Sequence, residues 1–65
     1  MRRGGDSYYV LVNNKGKSYT VFDPFEGETT LINDTFEAAE NDLDYLIDEG
    51  ELDTADGWHV ERHRW

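Results

Sequence analysis

Carboxylates recur at helical spacing in the middle of the chain. Glu37, Asp44 and Asp48 would share one ridge of an α-helix, because residues seven and eleven positions apart return to nearly the same side. At about 1.5 Å per residue, about 10 Å separates Glu37 from Asp44 and about 6 Å separates Asp44 from Asp48. Charges on a nucleic-acid strand have spacings of the same order, at about 3.4 Å per phosphate. The pattern predicts a rigid negative surface that fits a protein groove built for DNA or RNA.

Acidic residues are segregated along the chain. Between Asp23 and Asp56 the sequence has thirteen carboxylates and no Lys, Arg or His, so this acidic segment carries a formal charge of −13. The remainder carries +4 and the whole chain −9. Ordinary surfaces mix both signs, because crowded like charges repel. Two plainer explanations stay open, namely a solvated face that keeps a small protein soluble and an adaptation to high salt.

The predicted partner-binding surface lies on this helix. Asp48 and Glu49 fall near its C-terminus, where the helix dipole disfavours anions, and this placement indicates selection for something other than stability. An apolar stripe recurs at helical spacing on the same helix, formed by Phe36, Ala39, Leu43, Leu46 and Ile47. Tyr45 is expected to be exposed because it lies opposite this stripe, and with Trp65 it is a candidate aromatic anchor. The candidate partner-binding residues are Glu37, Glu40, Asp44, Tyr45, Asp48 and Glu49.

Catalytic and metal chemistry are not expected from this sequence. The chain has no cysteine, no serine with a partnered histidine in a known motif, and little room for a closed pocket. Residues 59–63 are His-Val-Glu-Arg-His, which differs from the H-E-x-x-H zinc motif, although both histidines would share one face of a strand. The acidic stretches 42–44 and 53–57 lack the ligand positions of a calcium loop. We therefore expect no enzyme, no cofactor and no dedicated metal site.

The size and composition of the chain indicate one small domain. A chain of 65 residues buries only about 60% of its unfolded surface, and the absence of cysteine excludes disulfides. Small domains of this kind often gain stability by oligomerising, so a homodimer is one expectation. A net charge of −9 opposes direct binding of nucleic acid. No apolar run is long enough for a membrane span, and we expect a cytoplasmic protein, in the host cytoplasm if a phage encodes it.

Periodicity and turn signals predict an α+β fold. Residues 1–6 form an expected flexible tail, and residues 7–65 the domain. Strands are predicted at 7–12 and 17–22, paired as a β-hairpin through the Asn-Asn-Lys-Gly turn, with a possible short strand at 29–32 and a final strand at 58–65. A helix is predicted at 35–49, capped by Asn33 or Asp34 and ended by Gly50. The expected architecture is an antiparallel sheet of three or four strands with one helix on one face, in the order β-β-(β)-α-β.

Two resemblances bear on function. Residues 33–39 (Asn-Asp-Thr-Phe-Glu-Ala-Ala), after an aromatic hairpin, resemble the string that opens the helix of HicB-type antitoxin domains. In size, charge and lack of catalytic residues, the chain is similar to phage-encoded anti-CRISPR and other DNA-mimic inhibitors. That similarity implies an acidic inhibitor that occupies a basic nucleic-acid-binding site on a partner, such as a host defence complex. The first resemblance implies an antitoxin-type interaction domain as the alternative.

Overall fold

Strand β1 lies at the centre of the structure. The computed structural model describes residues 6–65, so residues 1–5 of the predicted tail lie outside the described residues. The elements in chain order are β1 (Ser7–Val12), β2 (Thr20–Asp23), β3 (Gly27–Thr30), α1 (Phe36–Asp48), a 3-10 turn (Thr54–Asp56) and β4 (His59–Arg64). Among these residues, no helix has the length and apolar character needed to cross a membrane.

The ladder partner of β1 is the strand most distant from it in sequence. β1 pairs antiparallel with β4, and Tyr8 lies opposite His63 and Leu11 opposite Val60. The predicted hairpin between residues 7–12 and 17–22 is therefore confirmed only next to its turn and does not extend into a ladder between β1 and β2. The turn at residues 13–16 reverses the chain, so that Val12 bridges Ser18 and the Tyr19 N–H donates to the Leu11 carbonyl at 2.8 Å. A second bridge joins Tyr9 to Asn33, so β1 is contacted along both edges.

The second sheet is a short hairpin formed by β2 and β3, hereafter the arm (residues 20–30). It pairs Phe22 with Glu28 and Asp23 with Gly27. The side chain of Asp23 accepts a hydrogen bond from the backbone N–H of Phe25 at 2.7 Å, which fixes the turn after Pro24. Gly27 closes that turn at φ +84°, a conformation that strongly favours glycine. The short strand that the sequence placed at 29–32 is thus present, but it lies two residues earlier, at Gly27–Thr30.

Helix α1 begins and ends with defined caps. Thr35 is the N-cap, and its hydroxyl accepts a hydrogen bond from the Ala38 N–H at 3.1 Å. The prediction of Asn33 or Asp34 at this position is wrong by one or two residues. At the other end Gly50 adopts φ +83° and donates to Ile47, while the Glu51 N–H bonds to the Leu46 carbonyl. These two bonds form a Schellman motif, which confirms Gly50 as the residue that ends the helix.

The core lies between α1 and one face of the β1–β4 sheet. Leu11 and Ala39 are fully buried and Leu52 nearly so. Partly buried residues packed around them include Leu43, Leu46, Ile47, Trp58 and Val60. The helical stripe therefore faces the core from Ala39 to Ile47 as its spacing predicted, whereas Phe36 at its start is 49% exposed. The chain is a small α+β domain, and residues 6–65 form one α-helix and four strands, which make two two-stranded antiparallel sheets and not one sheet of three.

The Thr35 cap supports a stability prediction. We expect Thr35→Ala to destabilise the domain by about 1 kcal/mol, because the Ala38 N–H loses its acceptor. For a domain of this size that loss lowers the melting temperature by about 4–8 °C, which thermal circular dichroism measures. Thr54→Ala, at an exposed threonine of the 3-10 turn, is the matched control and should shift the melting temperature by far less. Equal shifts in both variants would show that Thr35 does not cap α1.

Candidate functional site

The six predicted partner-binding residues are brought together on one element. Five of them belong to α1, and Glu49 is its C-cap. All six are exposed: Glu37, Glu40, Asp44, Tyr45, Asp48 and Glu49. The caps at both ends hold the helix as a rigid rod, so the separations between these side chains are set by helical geometry. We call the five carboxylates and Tyr45 the acidic helix surface.

Four acidic side chains of the acidic segment accept hydrogen bonds within the fold. Asp23 holds the arm turn, and Glu28 accepts a hydrogen bond from the Thr20 hydroxyl at 2.8 Å. Asp42 accepts one from the Asn33 amide at 3.0 Å, which ties α1 to the segment beside β1. Asp53 caps the 3-10 turn through the Ala55 N–H at 2.9 Å. For these four side chains, a structural role accounts for the carboxylate.

The carboxylates of the acidic helix surface differ from that group. Within residues 6–65, none of the five makes an ion pair or a side-chain hydrogen bond. The lysines of this part of the chain, Lys15 and Lys17, are at the turn after β1, and its arginines, Arg62 and Arg64, are on β4. The last turn of α1 contains no basic residue. These carboxylates repel one another and the helix C-terminus, and their side chains are free to meet cations from another molecule.

Tyr45 gives this surface an aromatic component. Its side chain is 63% exposed, as its position opposite the apolar stripe predicted. With Asp44, Ile47 and Asp48 it lines a shallow open depression of about 470 Å³. An arginine side chain can stack on such a ring while it donates hydrogen bonds to adjacent carboxylates. The depression is therefore suited to a basic side chain.

The second predicted anchor, Trp65, does not belong to the acidic helix surface. It is 57% exposed, but its ring lies 4.5 Å from the ring of Tyr8. Both rings line a cavity with Val10 and His63 on the face of the sheet away from α1. The structure thus separates the two aromatic candidates onto opposite faces.

The histidines of β4 share one carboxylate. Glu61 Oε1 lies 2.7 Å from His63 Nε2, and Glu61 Oε2 lies 4.0 Å from His59 Nε2. His59 Nδ1 is 2.9 Å from the Gly57 carbonyl and donates to it. All three side chains are about half exposed. Across residues 6–65, no group of three or more histidines and acids is arranged to hold a metal ion.

Two exposed aromatic residues were missed by the sequence reasoning. Phe22 is 77% exposed and Phe25 is 95% exposed, both on the arm. The sequence placed Phe22 in a strand paired with β1, where one face would be covered. A usable signal was the Asp-Pro-Phe-Glu-Gly run at 23–27, whose turn chemistry favours a hairpin centred there.

The comparisons with known proteins identify no relative of this chain. No protein-family model matches the chain, and neither the curated proteins nor the solved structures that were searched contain a match to it.

Proposed function

We propose that this chain is a small acidic binding protein whose helix α1 mimics the charge of a nucleic-acid strand and blocks a basic nucleic-acid-binding site on a partner. The observation that supports this proposal is the acidic helix surface itself. It consists of exposed carboxylates on a capped helix, and none of them has an ion-pair or hydrogen-bond partner within residues 6–65. A site that normally holds phosphates offers the cations that these carboxylates lack.

The charge density of α1 is comparable to that of a nucleic-acid strand. From Glu37 to Glu49 the helix rises about 18 Å, a length over which one strand places about five phosphates. The acidic helix surface has five exposed carboxylates in that length. Glu37, Asp44 and Asp48 form the central ridge, while Glu40 and Glu49 lie to its sides. A groove lined with lysine and arginine would meet the ridge and Glu40, which are four of these five charges, because Glu49 lies about 180° around the helix from Glu40.

The C-terminal end of α1 also favours a role in binding. Asp48 and Glu49 oppose the negative end of the helix dipole, at a typical cost of about 0.3–1 kcal/mol for each charge. Lysine or arginine at the same positions would stabilise the helix. Carboxylates there extend the negative surface by one further turn, which benefits a partner and not the fold.

Coulomb complementarity determines how such a complex forms. Opposite charges steer the encounter and accelerate association, whereas affinity comes mainly from a few well-packed contacts. Tyr45 is the residue on this surface that can supply such a contact, since its ring is exposed and lines a depression with Asp44 and Asp48. The expected complex therefore forms rapidly at low salt and weakens as salt is added.

Competitive elution tests this function. The full chain is immobilised, loaded with lysate from its source cells, and eluted with duplex DNA or RNA oligonucleotides in one arm. A second arm uses poly-glutamate at the same concentration of charge. We expect the nucleic acids to release the retained partner at concentrations at least about tenfold lower than poly-glutamate does, because the site is built for phosphate spacing. Release by poly-glutamate and not by either nucleic acid would contradict mimicry.

A further inference from the structure

The face of the β1–β4 sheet opposite α1, together with the arm, forms a second surface, hereafter the open face. It contains a cavity of about 310 Å³ whose lining includes Tyr8, Val10, Ile32, His63 and Trp65. Val10 is buried beneath it, whereas Ile32 is 41% and Trp65 57% exposed. An apolar recess with exposed rims on a domain this small is typical of a contact surface.

The arm adds a projecting apolar group next to that recess. The ladder places Phe22 opposite Glu28 and Thr20 opposite Thr30, and these four alternate positions share one face of the arm. Thr30 also lines the cavity, so this face of the arm continues into the open face. Phe25 extends from the turn beyond it. The open face therefore combines a projecting aromatic residue with a recess.

We propose that the open face is a homodimer interface, in which the arm of each copy packs Phe22 against the Tyr8–Trp65 cavity of the other. A two-fold interface uses the same patch on both partners, so it requires one surface that carries both a projection and a recess to receive it. A cavity of about 150 Å³ is known to hold benzene, so a recess of about 310 Å³ has room for a phenyl ring. This inference is independent of the proposed function, because it concerns the face opposite α1.

The charge distribution favours two-fold contact through this face over two-fold contact through α1. Each copy carries −9, so contact through α1 would bring the two sets of helix carboxylates together. The residues identified on the open face include only two carboxylates, Glu28 and Glu61, and each accepts a hydrogen bond, from Thr20 and His63 respectively. Docking through the open face keeps the two acidic helix surfaces on opposite outer sides of the dimer.

An interface of standard size would cover a modest fraction of this molecule. A standard interface buries about 800 Å² on each partner. That is about a sixth of the 4921 Å² of surface that one copy exposes. Burial of exposed aromatic side chains also supplies the stabilisation that a small domain without disulfides lacks.

Sedimentation equilibrium of the full chain tests the interface at about 10–500 μM. We expect a mass near 15 kDa, about twice the 7.6 kDa of one copy. Phe22→Ser should raise the dimer dissociation constant at least about tenfold, because it removes the projecting ring. Tyr45→Ser, which removes an exposed ring from the opposite side, is the matched control and should leave the constant unchanged. Added salt should tighten the dimer, since it screens the repulsion between two copies of charge −9.

Three results would overturn the dimer. The first is a 7.6 kDa species at the highest concentration and at about 1 M salt. The second is an unchanged dissociation constant in Phe22→Ser, with circular dichroism showing that the variant is folded. The third is equal weakening by Tyr45→Ser, which would assign the interface to α1.

Discussion

Replacement of Glu37, Asp44 and Asp48 by Gln, Asn and Asn is expected to weaken binding to the proposed partner at least about a hundredfold. Close charge pairs across protein interfaces have coupling energies of about 1.5 kcal/mol or more, and loss of two or three of them gives an effect of this size. Stability should stay constant or rise, because the three carboxylates repel one another and Asp48 opposes the helix dipole. Isothermal titration calorimetry with the partner obtained by competitive elution measures the affinity, and a thermal melt measures the stability.

A charge-matched variant separates position from net charge. Glu26→Gln, Glu51→Gln and Asp56→Asn together remove the same three charges, from exposed carboxylates that lie off α1 and make no side-chain bond within residues 6–65. This control should lose less than about tenfold in affinity. Equal losses in both variants would show that total charge and not the ridge determines binding. An unchanged affinity in the first variant would exclude α1 as the binding surface.

The largest effect on stability is expected from Leu11→Ala. Leu11 is the only large side chain in residues 6–65 that is fully buried, and it packs with Ala39 and Leu52 between the sheet and α1. Removal of buried methyl groups at such a site costs about 2–5 kcal/mol. A 65-residue domain has a total stability of about 3–10 kcal/mol, so the variant should be largely unfolded or melt about 10–30 °C lower. Thermal and urea melts followed by circular dichroism measure the loss.

Val21→Ala is the control for this core substitution. Val21 is also an aliphatic strand residue, but it is 37% exposed and lies on the arm. We expect its truncation to cost less than about 1 kcal/mol. A loss comparable to that of Leu11→Ala would place the main stabilising contacts in the arm instead of beneath α1.

The helix could be predicted from the sequence because its determinants are local. The apolar stripe from Phe36 to Ile47 repeats at the helical period, and Gly50 follows at the position where a left-handed residue ends the helix. The same period predicted that Tyr45 would be exposed. Only the N-cap was misplaced, since Asn33, Asp34 and Thr35 all have suitable side chains and the backbone conformation selects among them.

The strand pairing could not be predicted in the same way. Alternating apolar and aromatic residues identify a strand, but they do not identify its partner. The turn at 13–16 and the turn at 24–26 both have the chemistry of a hairpin, and burial of Leu11 beside Val60 favours β4 as the partner of β1. The exposure of Phe22 and Phe25 follows from that long-range choice. The acidic helix surface was predictable as a set of residues, whereas the open face was not.

The pairing of β1 with β4 determines the order in which the chain can fold as it emerges from a ribosome. Closing the loop between Val12 and His59 costs about 3.4 kcal/mol of chain entropy, plus a constant, whereas the arm closes over a turn of three residues. The arm and α1 have only local contacts to close, so they can form early. The core around Leu11 cannot be completed until residues 59–64 have been synthesised. High contact order of this kind slows folding. We expect mutual repulsion among the acids of the segment from Asp23 to Asp56 to oppose association of neighbouring chains during that delay.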